Sequence, residues 1–199
     1  MKKTTWISSV VALAIMATGC GESNTTVPAN ITNQTTSANV AGKAPSVSSN
    51  GHGGLIVGGE AYGGQDNLAK YEKAADAHPS DAHAQIQAGI SAYVNGDMQK
   101  AIRYYKKAIS DDPKNVIPYN NLGNVYYRGL KQPKEALQYY QKATQVDPSY
   151  GFGWLNLGLC ELDLGDKSAA KAAFQQGLSK VSKSDPLYKS FQDNLKKLS

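Results

Sequence analysis

With 199 residues, 41% of them apolar and 19% charged, the chain has room for one domain, and its composition is far from even along its length. The formal charge of +5 includes Lys2 and Lys3; without them 19 basic residues face 16 acidic ones. Along the later segments Lys alternates with Glu and Asp instead of forming a basic stripe with interleaved aromatics, which argues against a nucleic-acid partner.

The chain opens with Met1-Lys2-Lys3, continues with an apolar stretch from Ile7 to Met16, and reaches the small residues Ala17-Thr18-Gly19 before Cys20. That layout predicts an export signal over residues 1–19, since the apolar stretch is too short to span a bilayer. This end resembles the lipobox of bacterial lipoproteins, with Ala17 where Leu is commoner. The resemblance implies lipid attachment at Cys20. Because Gly21 and not Asp follows the cysteine, it also implies an outer-membrane address facing the periplasm. With Cys20 acylated, Cys160 is left alone, and its place in an apolar helical pattern predicts a small buried residue, not a reactive thiol.

From residue 20 to 65 the composition is Thr, Asn, Ser, Ala, Gly and Pro with almost no aromatic residue, which predicts a disordered tether. A flexible chain of that length has an end-to-end distance on the order of 35 to 40 Å, enough to hold a domain clear of a lipid surface. The glycine-rich run from Gly51 to Gly59 lacks a Lys-Ser/Thr pair and leads into no helix directly, so no phosphate loop is expected there.

Beyond Asp66 apolar residues recur at helical spacing, with breaks at Pro79, Gly96-Asp97, Pro113, Gly129 to Pro133, Pro148 and Gly165-Asp166. The breaks are themselves periodic. Superposing the segments that start at Ala82, Val116 and Gly151 aligns Gly89 with Gly123 and Gly158, Ala101 with Ala136 and Ala170, and Tyr105 with Tyr140 and Phe174. The period is 34 residues, one longer in the second copy.

These copies resemble the tetratricopeptide repeat, whose helix-turn-helix unit follows W-x2-L-G-x2-Y, then A-x3-F, then P. The second copy carries Tyr119, Leu122, Gly123, Tyr126, Ala136, Tyr140, Ala143 and Pro148. The third carries Trp154, Leu157, Gly158, Ala170 and Phe174, but has Glu161 at the second aromatic position and Ser182 for the closing Pro. The first matches at Gly89, Ala101, Tyr105, Ala108 and Pro113 and departs at Gln85, Ala88 and Ala92, while Tyr71, Ala74 and Pro79 match the back half of a further copy.

The resemblance implies an all-α solenoid over residues 66–199, with repeats at about 82–115, 116–150 and 151–184 after a lone half-repeat helix. Small residues at Gly89, Gly123 and Gly158 and at the aligned alanines should let the two helices of each repeat approach. Tyr105, Tyr140 and Phe174 should then fill the gap toward the next pair. The segment 185–198 is predicted to cap the stack: Asp185 precedes Pro186, and Leu187, Phe191, Leu195 and Leu198 form one apolar stripe.

No set of residues suggests catalysis, a metal or a cofactor. His52, His78 and His83 form no ligand-spaced pair on a helix, and Asp97, Asp147, Asp166 and Asp185 sit at turns and helix starts, where capping explains them. The family's ligand-contacting positions, on the inner face of the first helix of each repeat, map to His83, Ile86 and Ile90; to Ile117, Asn120, Asn124 and Arg128; and to Phe152, Leu155, Leu159 and Asp163. About half of these are expected to pack against the adjacent helix instead. The result would be an apolar trough with amides at its middle, suited to a peptide or helix segment of another envelope protein. Some relatives grip a C-terminal carboxylate with Lys and Asn, but Ile86 and Leu155 stand where basic residues would be needed. The function expected is therefore a membrane-anchored adaptor, not an enzyme, serving envelope assembly such as pilus or secretin biogenesis or control of wall hydrolases. The alternative is a self-association module whose groove is filled by its own C-terminal helix or by another copy.

Overall fold

The computed structural model describes residues 47–50, 54–57 and 59–199. The export signal, the lipid-attachment cysteine Cys20 and most of the tether lie outside the described residues. Strands β1 (Val47–Asn50) and β2 (Gly54–Val57) pair antiparallel, with Val47 opposite Val57. A short helix α1 (Gly59–Tyr62) follows. These elements fall in the stretch for which composition predicts only a disordered tether. The local reason is visible in β2, where Leu55-Ile56-Val57 interrupts the polar composition with residues that favour the pleated conformation.

The remainder is a run of helices: α2 (Gln65–Ala77), α3 (Ala82–Val94), α4 (Met98–Asp111), α5 (Val116–Asn124, extended by a π-turn at Val125–Gly129), α6 (Pro133–Val146), α7 (Gly151–Asp163), α8 (Lys167–Lys180) and α9 (Pro186–Lys197). Among the described residues no helix is long and apolar enough to cross a membrane. The three predicted repeats are the pairs α3/α4, α5/α6 and α7/α8, with α2 before them and α9 after.

Helix starts follow from their caps. The carboxylates of Asp81, Asp97, Asp166 and Asp185 and the amide oxygen of Asn115 each accept from backbone N–H groups of the first turn. Of Asp97, Asp147, Asp166 and Asp185, Asp147 is the one that serves a turn and not a helix start. It closes α6, and its carboxylate accepts from the Ser149 N–H at 2.9 Å, folding the turn that carries Pro148.

Within each repeat the glycine of the first helix lies under the aromatic ring of the second. A Cβ built on Gly89 would stand 2.6 Å from Cε1 of Tyr105, and the same overlap recurs at Gly123 with Tyr140 and at Gly158 with Phe174. The rings therefore sit on the glycine of their own repeat as well as filling the space toward the next pair. They also join the core of the next repeat: Tyr105 clusters with Leu122 and Val125, and Tyr140 with Leu157 and Cys160. Phe174 meets Phe191 with ring centroids 6.5 Å apart.

A second recurring contact joins repeats through their turns. The hydroxyl of Tyr119 donates to the Pro113 carbonyl at 3.2 Å, and the indole N–H of Trp154 donates to the Pro148 carbonyl at 2.9 Å. Both aromatics lie six residues after the proline they hold.

Both ends of the stack are closed. At the far end α9 packs on α8 and α7 as the next first helix would, burying Leu187 and Phe191, with Phe191 over Gly177. Its outward positions Lys189, Gln192, Asp193, Lys196 and Lys197 are exposed and polar. At the near end α2 buries Leu68 and Ala75 and pairs Glu72 with Lys100 at 2.7 Å. The folded unit also starts before Asp66. The Tyr62 carbonyl accepts from Ser91 Oγ at 2.7 Å and from Asn95 Nδ2 at 3.1 Å, and Asn95 Oδ1 accepts from the Gly64 N–H. Tyr62 itself lies against Tyr71, ring centroids 4.8 Å apart.

Candidate functional site, the inner face of the first helices

The inner face is carried by α3, α5 with its π-turn, and α7. In the first and third repeats the helix-closing turn ends on a glycine in the left-handed region, Gly96 (φ +83°) and Gly165 (φ +88°), with N–H groups of Asp97 and Asp166 reaching five residues back. The second repeat has one more residue between its glycine and its aligned alanine. That residue is absorbed in the helix: the Leu130 N–H reaches the Val125 carbonyl, and the Gln132 N–H reaches six residues back to Tyr126. The left-handed position then falls on Lys131 (φ +58°), a residue with a side chain.

The widened turn brings Tyr127 and Arg128 onto the inner face beside α7. The Tyr127 hydroxyl donates to Asp163 Oδ2 at 2.5 Å and lies 3.4 Å from the Leu159 carbonyl. Burial, and then the hydrogen bond to the Asp163 carboxylate, hold the phenol well above its ordinary range. Arg128 stands over the Tyr127 ring, its Cζ 5.7 Å from the centroid, and donates from Nη2 to Asn156 Oδ1 at 3.3 Å. Asn156 in turn donates from Nδ2 to Asn120 Oδ1 at 2.9 Å. Tyr93 lies in the same neighbourhood: burial raises its pKa and the Arg128 charge opposes the rise.

The eleven predicted groove positions divide by accessibility. His83 and Asp163 are exposed; Ile90, Ile117, Asn124, Arg128, Phe152, Leu155 and Leu159 are half-buried; Ile86 and Asn120 are buried, at 6% and 4% exposure. Ile86 belongs to the core cluster around Tyr105 and Leu122. Asn120 spends its oxygen on Asn156 of the neighbouring repeat. Neither offers open surface, because successive first helices lie side by side and close these positions against each other. Phe152, Leu155 and Leu159 line the trough's far end, where they also pack toward the Phe174/Phe191 cluster.

Asn124 is differently placed. Its Oδ1 accepts from the Tyr140 hydroxyl at 3.0 Å, which leaves its amide N–H groups as the side chain's outward donors. Tyr93 and Tyr127 take part in this face without being among the predicted positions, and the buried Tyr140 and Asn156 support it from beneath. The signal for Tyr127 was the extra residue of the second copy. Asn156 gave none, since an asparagine in a helix points equally well to solvent.

Cys160 is fully buried, as expected, and its thiol donates to the Pro133 carbonyl at 3.1 Å. Burial pushes that thiol up to about 12. Among the described residues no three His, Cys, Asp or Glu side chains gather as a metal site would require.

Two tetratricopeptide family models match the chain, one described as a TPR repeat over residues 89–129 and one as a tetratricopeptide repeat over residues 127–195. Among curated proteins, the Hsp70-Hsp90 organising protein of Plasmodium falciparum is 30% identical over 118 residues, which is 59% of this chain and 45% of that protein. The chain thus spans less than half the length of that relative. Among solved structures, the Sgt2 TPR domain from Aspergillus fumigatus is 27% identical with a TM-score of 0.53, covering 59% of this chain and 76% of that one. The first TPR of Spaghetti (RPAP3), solved bound to the HSP90 peptide SRMEEVD, is 22% identical with a TM-score of 0.53, covering 59% of this chain and 91% of that one. The two family matches together run over more than half of the chain and coincide with the glycine-on-aromatic repeats of the structure: the chain belongs to the tetratricopeptide repeat family.

Proposed function

We propose that the chain is a lipid-anchored adaptor of the bacterial cell envelope that holds a segment of a partner protein on the inner face of its repeats. The observation that carries the binding half is the uncovered trough: α9 stacks on the end of the solenoid, so Ile90, Ile117, Asn124 and Leu159 remain accessible on the first helices. Their chemistry suits an extended segment, apolar side chains against Ile and Leu and a backbone carbonyl on the Asn124 amide. The related RPAP3 domain was solved with a peptide bound. That peptide ends in an acidic run, and the isoleucines and leucines here favour an apolar ligand instead.

The anchoring half rests on the leader pattern ending in Cys20 and on the polar stretch that follows it. Attachment through several acyl chains is lasting, since each buried methylene contributes about 0.8 kcal/mol. Cys20→Ser should release the protein from membranes or block its processing. Wild-type membrane fractionation of that variant, with processing intact, would refute the anchor.

The groove is tested with a partner captured from envelope extracts and then titrated. Asn124→Ala with Leu159→Ala should weaken capture by about 1 to 3 kcal/mol through a lost backbone hydrogen bond and lost apolar contact. Lys106→Ala with Lys142→Ala, on exposed positions of α4 and α6, should leave capture unchanged. Loss in the lysine pair alone would place recognition on the outer face.

A further inference from the structure

Peptide binding in the trough makes no use of the charge at the far end of the stack. Residues 61–166 are nearly neutral, with 11 basic and 12 acidic side chains, whereas residues 167–199 hold seven lysines against two aspartates. All seven, Lys167, Lys171, Lys180, Lys183, Lys189 and the Lys196-Lys197 pair, are exposed.

Helix dipoles explain part of this set. Lys180, Lys196 and Lys197 lie in the last turns of α8 and α9, where a positive charge is favourable. Lys167 and Lys171 lie in the opening part of α8, where the dipole disfavours them. Among the described residues the seven make one ion pair, Lys189 with Asp193 at 3.3 Å, and both partners are exposed. Exposed pairs of that kind contribute little to stability.

The arrangement is broad and shallow. Lys167 and Lys171, one turn apart, share the outer side of α8; Lys189 and Lys196, two turns apart, share the outer side of α9; Lys183 lies in the loop that joins them. Lysine is a compact, hydrated point charge without the planar fork that grips a single carboxylate in two places. A field of such charges spread over two helices and their loop complements an extended anionic surface better than one acidic peptide. We propose that the α8/α9 end docks electrostatically on an anionic lipid surface, with headgroup phosphates as counter-charges. The attraction falls off within about 10 Å at ordinary salt, so this end, and not the trough, must face the lipid. The inference stands apart from the acyl anchor and from the peptide trough.

The test uses the chain from Gly21 onward, which keeps every described residue and removes both the leader and the acylation site. It is sedimented with phosphatidylcholine vesicles, with or without about 30 mol % phosphatidylglycerol, at about 0.05 M and about 0.5 M salt. Binding to the anionic vesicles should exceed binding to the neutral ones at least about tenfold at low salt and vanish at high salt. Reversing Lys167, Lys171, Lys189 and Lys196 to Glu should abolish it. Reversing Lys106, Lys114, Lys134 and Lys142, the same number of exposed charges elsewhere, should preserve most of it, with circular dichroism confirming the fold of both variants. Equal loss in the two variants would reduce the effect to net charge and overturn the proposal. So would an absence of vesicle binding at low salt, or binding to polyglutamate through the same four lysines without binding to vesicles, which would assign the patch to an acidic protein.

Discussion

Asn156 donates its side-chain amide to Oδ1 of Asn120 at 2.9 Å inside the stack, joining α7 to α5 across a full repeat. The bond is buried on both sides, so it belongs to the fold's interior and not to the surface that meets a ligand. Asn120→Ala should therefore cost about 1 to 3 kcal/mol by leaving the Asn156 amide without its acceptor. Were Asn120 an exposed groove contact, the change would be neutral or slightly stabilising, because Ala is the better helix former. Urea denaturation of Asn120→Ala, Asn156→Ala and the double variant decides it; the double should lose less than the sum of the two singles.

Two kinds of glycine in this chain predict two kinds of damage. Gly123→Ala pushes a methyl into the Tyr140 ring, and overpacking of that sort should cost about 1 to 3 kcal/mol. Gly96→Ala meets open space but inherits φ +83°, a strain of about 1 to 2 kcal/mol. Replacing Tyr140 by Leu should relieve the first loss in part and leave the second untouched. Melting temperatures of the two glycine variants, each with and without Tyr140→Leu, make the comparison.

Lys131 holds the left-handed position that glycine holds in the neighbouring repeats. Lys131→Gly should stabilise the domain by about 0.5 to 1 kcal/mol, the relief of strain exceeding the extra freedom gained by the unfolded chain. A lower denaturation midpoint in that variant would show that the lysine side chain contributes more than its backbone costs.

Burial raises the Cys160 thiol to about 12 from an ordinary 9.0. The unfolded chain therefore loses this proton first as pH rises. The stability linked to the thiol is complete below pH 9.0 and declines as the pH climbs toward about 12. In a Cys20→Ser background the native protein should resist thiol reagents at mildly alkaline pH and react fully once unfolded. Rapid labelling of the native state would mean that the α7 interior opens far more often than its packing implies.

The repeat fold was legible because its determinants are local and periodic. Gly89, Gly123 and Gly158, with their partner aromatics, recur at near-fixed offsets along three aligned copies. The accessibility of the trough was less legible. Isoleucine at 86 and isoleucine at 90 look alike in sequence, yet the first is sealed by the neighbouring helices and the second is half open. The extra residue of the second copy was countable, but an insertion can enlarge a loop or swell a helix, and only the backbone hydrogen bonds of Val125 to Gln132 distinguish the two. The early start of the folded unit was hidden for a related reason: the Tyr62 carbonyl and the Gly64 N–H are held by the side chains of Ser91 and Asn95, which composition does not register.

The aromatic-to-proline bonds of Tyr119 and Trp154 tie each first helix to the turn arriving from the helix before it. Shifting the frame by one helix accordingly leaves no remainder. The stack divides into α2/α3, α4/α5, α6/α7 and α8/α9, four whole hairpins joined at the tight Gly96, Lys131 and Gly165 corners, so the two lone helices are the outer halves of complete units. A chain cut after α8 would leave Gly177 bare of Phe191, and a cut after α7 would likewise leave Gly158 bare of Phe174, so each cut opens a glycine that an aromatic ring covers in the whole stack. Shortening this molecule by one helix keeps Phe174 on Gly158, whereas shortening it by two gives up that ring as well.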